Sequence, residues 1–254
     1  MQAALHWHEP AANRDKFNRM LEEHVPETDL IVFPEMFTTG FTMEAETWAE
    51  SMDGPSVQWM QQQARKHNAA LTGSLIIRDN GLTNRMVFAF PDGKLVFYDK
   101  RHRFRMAKEH EHFDSGTSNQ IVDYKGWKLM LQVCYDLRFP VWSRNRYTEL
   151  GLTYDAILYV ANWPEKRGGQ WIKLLQARAI ENQAYVIGVN RTGRDGNSIR
   201  YRGDSAIYDP WGDALTEIVR GEGIESQVLS REILENYRSH FPAWQDADAF
   251  ELID

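Results

Sequence analysis

The sequence predicts an α/β fold in which mixed parallel and antiparallel sheets are covered by helices. Three observations carry that reading. Short, apolar, β-rich runs alternate with amphipathic stretches of helical period. Pro91-Asp92-Gly93-Lys94 separates two of the β-rich runs at hairpin distance, which brings antiparallel pairing into the sheet. No repeat, low-complexity tract or Pro/Gly-rich linker interrupts the 254 residues, so residues 1–254 are expected to form one domain.

A first helix is expected over residues 13–24, followed by a strand at 30–33. A second helix over 56–67 shows Val57, Met60, Ala64 and His67 at helical spacing. Asp53-Gly54-Pro55-Ser56 supplies the turn and an N-cap before it. Strands come next at 70–77, 86–90 and 95–98, the last two joined by the Pro91–Lys94 turn. A strand at 128–133 leads into the single cysteine. A helix at 141–150, a strand at 156–160, a helix at 170–182 and strands at 185–189 and 205–208 complete the order. Residues 231–254 read as a C-terminal tail that packs on the domain or on a partner subunit.

Composition narrows the function classes. A hydrophobic fraction of 43% supports a large core, and a formal net charge of -7 argues against non-specific binding to nucleic acid or to an anionic membrane surface. No apolar run approaches the roughly 20 residues of a membrane span. Met1-Gln2-Ala3-Ala4-Leu5-His6 has neither the basic nor the apolar region of a signal peptide. One cysteine excludes an intrachain disulfide and fits a reducing compartment. The expectation is a cytoplasmic protein.

Three strand ends carry reactive groups. Leu129-Met130-Leu131-Gln132-Val133 delivers Cys134 to a point where the chain turns polar, Leu30-Ile31-Val32-Phe33 runs into Pro34-Glu35, and Leu95-Val96-Phe97-Tyr98 runs into Asp99-Lys100. Chemistry in open α/β folds sits at such carboxyl ends. Taken singly, Cys134 reads as a small buried hydrophobe, and Glu35 and Lys100 as solvated loop residues. Together they form a coherent set. A thiol with a pKa near 8.5 needs a base or a nearby cation to act as a nucleophile. A carboxylate in a dry cleft can take its proton, and an ammonium can stabilise the oxyanion formed when the thiolate attacks a carbonyl carbon.

These residues resemble the nitrilase superfamily, the carbon–nitrogen hydrolases, whose catalytic set is Glu-Lys-Cys. The matching motifs are Phe33-Pro34-Glu35, then Tyr98-Asp99-Lys100-Arg101-His102, then Val133-Cys134-Tyr135-Asp136-Leu137-Arg138-Phe139-Pro140, with Gln176–Val186 similar to the segment after the cysteine. The likeness runs from about Ala3 to about Ser230. It implies a four-layer α-β-β-α sandwich that commonly forms a homodimer and needs no metal or other cofactor. It also implies Glu35 as general base and acid, Lys100 and the backbone N–H of Tyr135 as oxyanion donors, and a second glutamate after the lysine. Counting back from Phe113 and Gly116 favours Glu109 for that glutamate, with Glu111 as the alternative. The family reads Lys-x-His-Leu-Phe where this chain has His102-Arg103-Phe104, and Arg103 is expected to point to solvent.

Within the superfamily the chain is most similar to the ω-amidases, through Phe104-Arg105-Met106-Ala107, the cysteine motif and Val160-Ala161-Asn162-Trp163-Pro164. That likeness implies hydrolysis of the terminal amide of a small 2-oxo acid, of 2-oxoglutaramate or 2-oxosuccinamate type. A substrate with a carboxylate at its far end calls for an arginine anchor, because the guanidinium fork binds both oxygens. Arg138 is the first candidate, against an ion pair with Asp136. Arg167 is a weaker candidate, expected at a solvated surface. Phe41, Phe37 and Trp163 are candidates for apolar walls or for ordinary core. The alternatives are a carbamoylase or broader aliphatic amidase, or a catalytically silent binding protein. The His6/His8 and His110/His112 pairs are not read as metal ligands. Arg202-Gly203-Asp204 is read as a turn into a strand, and Phe241-Pro242-Ala243-Trp244 as a packing segment.

Overall fold

The structure, a computed structural model, describes residues 1–24, 27–149, 151–216 and 220–252. In chain order the elements are α1 (Pro10–His24), β1 (Leu30–Val32), the short α2 (Ala45–Trp48), α3 (Pro55–His67), β2 (Ala70–Arg78), β3 (Leu82–Ala89) and β4 (Leu95–Asp99). Next come the short helix α4 (Glu109–His112), β5 (Gln120–Tyr124), β6 (Trp127–Val133), the two-residue strands β7 (Tyr147–Thr148) and β8 (Gly151–Leu152), and β9 (Ala156–Ala161). The rest is α5 (Gly168–Asn182), β10 (Tyr185–Asn190), β11 (Thr192–Arg194), β12 (Arg200–Arg202), β13 (Ala206–Tyr208) and α6 (Arg231–His240).

Two main sheets result, ordered β1-β2-β3-β4 and β13-β10-β9-β6-β5. In the first, β1 pairs parallel to β2, and β2, β3 and β4 form an antiparallel meander. In the second, β6, β9 and β10 are parallel and the two edge strands antiparallel. Three apolar clusters lie between these layers in succession. Phe17 and Leu21 of α1 and Val57, Met60 and Ala64 of α3 pack with Leu71, Leu75 and Val87 of the first sheet. Met86 and Phe88 of that sheet then meet Leu129, Leu131, Leu158 and Ile187 of the second. Trp171, Leu175 and Ala179 of α5 cover the other face of the second sheet, over Ile157, Tyr159 and Val186. This is the order an α-β-β-α arrangement requires.

Several elements depart from expectation. The helix expected at 141–150 does not form. Residues 141–143 are turns and Tyr147–Thr148 pairs with Gly151–Leu152 in a small hairpin, while Leu150 lies outside the described residues. Asn145 holds this segment open. Its N–H donates to Asn182 Oδ1 (2.8 Å), and its side chain bonds Tyr154 N and O, a local network that competes with helical bonding. Helix α3 starts at Pro55 with Gly54 as N-cap, not at Ser56. The Glu50 carboxylate takes the capping role, accepting the Ser56 N–H at 2.7 Å and its hydroxyl at 2.6 Å. Strand β3 begins four residues before its expected start because Asn84 and Arg85 are satisfied in place. Arg85, for example, forks onto Asp99 at 2.7 and 2.8 Å. Strand β5 and helix α6 are additions to the expected elements. The Lys125-Gly126 turn, with φ of 48° and 79°, joins β5 to β6 in a tight hairpin. Helix α6 is capped by Ser230, buries Leu234, and ties Arg238 to Asp155 at 3.0 Å.

Candidate active site

Cys134 comes directly after β6 and opens a short 3-10 turn, Cys134–Arg138. Its φ of 45° lies in the left-handed region, which a residue with a Cβ occupies only when its surroundings impose it. Asp136 imposes it. This fully buried carboxylate accepts the Val133 N–H (3.0 Å), the Tyr98 hydroxyl (2.9 Å) and the His102 N–H (2.9 Å), and lies 2.8 Å from His102 Nδ1. The turn is therefore pinned to the segment that carries Lys100. Tyr135 sits in the first turn of this 3-10 helix, where an N–H has no acceptor within the helix.

Lys100, one residue past β4 and 1% exposed, is the hub of the site. Its Nζ lies 2.9 Å from Glu35 Oε1 and 2.9 Å from both carboxylate oxygens of Glu109. Its backbone is held at both ends, the N–H donating to Asn84 O and the carbonyl accepting the Gly116 N–H, each at 3.0 Å. Glu35 lies beyond β1 on a segment that stays against β2, with the Phe33 N–H on Thr72 O (2.7 Å) and the Met36 N–H on Ser74 Oγ (2.9 Å). Glu35 Oε1 also accepts Asn84 Nδ2 at 2.8 Å, and Oε2 accepts the Asn162 N–H at 2.8 Å. Asn84 reaches Glu109 Oε1 at 3.3 Å as well, and is itself oriented by Ser74 Oγ, which donates to its Oδ1 at 2.7 Å.

This dry cluster sets the electrostatics. Burial and the Glu35 carboxylate push the Cys134 thiol well above the ordinary thiol range, and Lys100 only partly offsets them. Burial alone would lower Lys100, but Glu109, Glu35 and Cys134 together hold it above the usual lysine range. Burial pushes Glu109 up against the opposing pull of Lys100. The resting pair is thus a protonated thiol beside a lysine locked in its charged form. Such a set can accept a thiol proton on a carboxylate and hold negative charge developing on a carbonyl oxygen.

A cavity of about 430 Å³ opens onto these groups, lined by Lys100, Cys134, Tyr135 and Asn162 and walled by Phe41, Phe104 and Trp163. Arg138 and Arg167 also line it. The Arg138 guanidinium lies 4.8 Å over the Trp163 ring and bonds Gln170, and Arg167 lies 5.2 Å over the Phe104 ring.

The chain matches the family model for carbon-nitrogen hydrolase over residues 1–237. The chain belongs to the carbon-nitrogen hydrolase family. This carbon-nitrogen hydrolase is 48% identical over 255 residues to omega-amidase YafV of Escherichia coli, with 99% of this chain and 96% of the relative covered. It is 33% identical to a 2-oxoglutaramate amidase of Bacillus subtilis, over 97% of this chain and 95% of that one. A crystal structure from Xanthomonas campestris, a CN-hydrolase superfamily protein with an arsenic adduct in the active site, superposes with a TM-score of 0.96 at 45% identity. That match covers 99% of this chain and 96% of the other.

In this hydrolase Glu35, Lys100, Cys134 and Glu109, all expected at the site, meet in one cluster. Glu111, the alternative to Glu109, is exposed and pairs with Lys108 at 3.7 Å. Phe41 and Trp163 line the cavity, whereas Phe37 is core, stacked on Phe33 at 4.9 Å. Asp136 is taken up by the turn, so Arg138 does not pair with it. Arg167, expected at the surface, is half-buried in the cavity wall. Arg103, expected to point to solvent, donates to Phe113 O at 3.0 Å. Sequence reasoning misses Asn162 although it ends an apolar strand, the same signal that marks Glu35, Lys100 and Cys134. Asn84 gives no such signal, since the polar run Thr83-Asn84-Arg85 hides the start of β3.

Proposed function

We propose that this hydrolase is an ω-amidase, which cleaves the terminal amide of a small 2-oxo acid of the 2-oxoglutaramate or 2-oxosuccinamate type to a carboxylate and ammonia. The observation that carries the reading is Lys100 bridging Glu35 and Glu109 at 2.9 Å in one cavity with Cys134 and Arg138. Similarity to an omega-amidase and a 2-oxoglutaramate amidase supports the substrate class.

In this mechanism Glu35 removes the Cys134 proton as the sulfur attacks the amide carbon. Lys100 Nζ and the Tyr135 N–H receive the oxyanion, and losing one such donor typically costs about 2.7–4 kcal/mol of barrier. When the C–N bond breaks, protonated Glu35 returns its proton to the departing ammonia and a thioester remains on Cys134. Water, deprotonated by Glu35, then attacks the thioester and frees the carboxylate and the thiol. Glu109 keeps Lys100 charged and in place. Arg138 binds the far carboxylate, and Phe41 and Trp163 flank the carbon chain. A cytoplasmic homodimer belongs to the same reading. It is supported by a lone free thiol and by the exposed apolar side chains Tyr147, Ile180, Trp211 and Phe241.

Ammonia release from 2-oxoglutaramate is expected to exceed that from glutamine and from N-carbamoyl amino acids. Mass spectrometry should find an acyl adduct on Cys134 alone. Activity retained in Cys134→Ala would sink the mechanism, and a preference for N-carbamoyl amino acids would make the enzyme a carbamoylase.

A further inference from the structure

Resting on the ω-amidase reading, we infer that Arg167 is the second arm of a two-arginine clamp with Arg138. The clamp grips the 2-oxo carboxylate and rejects a 2-ammonium group. Both guanidiniums line the cavity that holds Cys134, and each lies over an aromatic wall, Arg138 on Trp163 and Arg167 on Phe104. The two walls are tied to the site. Trp163 Nε1 donates to the Arg167 carbonyl at 2.9 Å, and the Phe104 N–H donates to Glu109. Among the described residues neither arginine has a carboxylate partner. The acid nearest Arg167 in sequence, Glu165, is spent on Arg200 at 3.2 Å, and the hydrogen bond of Arg138 goes to the neutral Gln170. Two charged forks lining a cavity with no carboxylate paired to either of them call for an anion. The 15-residue helix α5 begins right after Arg167 with no acidic residue in its first turn, so its N-terminus adds positive potential.

The same arrangement explains selection against an amino acid. The one buried acid of the cavity, Asp195, is saturated. Its Oδ1 accepts the N–H groups of Asn197 and Ile199, each at 2.9 Å, and its Oδ2 accepts the Tyr201 hydroxyl at 2.8 Å. Glu44, the other acid in the lining, is exposed at the rim. An α-ammonium at the clamp would therefore meet two guanidiniums, with Asp195 already saturated and Glu44 out at the exposed rim, a repulsive element of the kind that gives specificity. A 2-oxo group carries no such charge and offers a lone pair to the same forks.

The test compares kcat/KM for 2-oxoglutaramate, glutamine and pentanamide in the wild type, Arg167→Gln and Arg167→Lys, with thermal melts to check folding. Arg167→Gln is expected to lose about 10- to 100-fold on 2-oxoglutaramate, mainly in KM, the worth of a charge-assisted hydrogen bond. Pentanamide, of equal length and uncharged, is expected to change by no more than about twofold, and the preference for 2-oxoglutaramate over glutamine to shrink about tenfold. Arg167→Lys, which keeps the charge without the fork, is expected to fall between. Equal losses on 2-oxoglutaramate and pentanamide, or no loss on either, overturn the clamp while leaving the ω-amidase reading intact. A wild-type enzyme that takes pentanamide as readily as 2-oxoglutaramate overturns both.

Discussion

Asn84 has no part in the chemical steps, yet its amide touches both buried glutamates, so Asn84→Ala probes the cluster sharply. The change removes a 2.8 Å donor to Glu35 and a 3.3 Å donor to Glu109, and leaves Ser74 Oγ without its acceptor. A hydrogen bond to a charged group contributes about 1.5–3 kcal/mol, and the longer contact less, so the expected loss of stability is about 2–4 kcal/mol. For a chain of this size each kcal/mol moves Tm by about 2–4 °C, which puts the fall at roughly 5–15 °C. A cavity alone would also lower Tm, so the pH profile is the discriminating assay. The lost donor stabilised ionised carboxylates, and without it the protonated site is reached more easily. The acid limb of kcat/KM should move to higher pH. An unmoved acid limb, whatever the Tm, would refute the idea that Asn84 tunes the charge state of the site.

Two further expectations concern the nucleophile and its turn. Because burial and Glu35 raise Cys134, little thiolate exists at neutral pH. Alkylation by iodoacetamide should therefore keep accelerating beyond about pH 9, past the ordinary thiol range near 8.5. A rate that levels off below that range would show the thiol to be activated at rest. Asp136→Ala strands the N–H groups of Val133 and His102 and the Tyr98 hydroxyl in a dry interior, each at about 1–3 kcal/mol, and should cost about 3–5 kcal/mol with near-complete loss of activity. Tyr98→Phe removes one of those partners and leaves Trp142 Nε1 without its acceptor, and should cost about 1–3 kcal/mol, less than Asp136→Ala. Similar Tm drops in the two variants would argue against Asp136 as the anchor of the turn.

How much of the fold is legible in the sequence depends on the physics of each signal. Apolar strands announce themselves by composition, and the residue just past a buried strand is placed at a sheet edge. Glu35, Lys100 and Cys134 can therefore be picked out together from composition and order alone. Strand β3 is legible only from Met86 onward, because Thr83, Asn84 and Arg85 are polar in sequence, and Asn84 and Arg85 lose that meaning once the site glutamates and Asp99 satisfy them. The segment at 141–149 reads as helical locally, but Asn145 bonds to residues far along the chain, which no window of sequence contains. Helix α6 is obscured for a related reason, since it buries only Leu234 and holds on through Arg238.

By itself, then, the sequence determined the fold class, the three reactive strand ends and their order, because these depend on local composition and spacing. Only the tertiary structure places Glu109 against Lys100 and Glu111 against Lys108, since both stand on one short helix and face different ways. It alone showed Asp136 engaged by Tyr98 and His102, which leaves Arg138 free of it, and turned Arg167 from a surface charge into part of the cavity wall. Those outcomes depend on which buried groups find partners across the fold, and partners brought together over tens of residues are set by packing and desolvation.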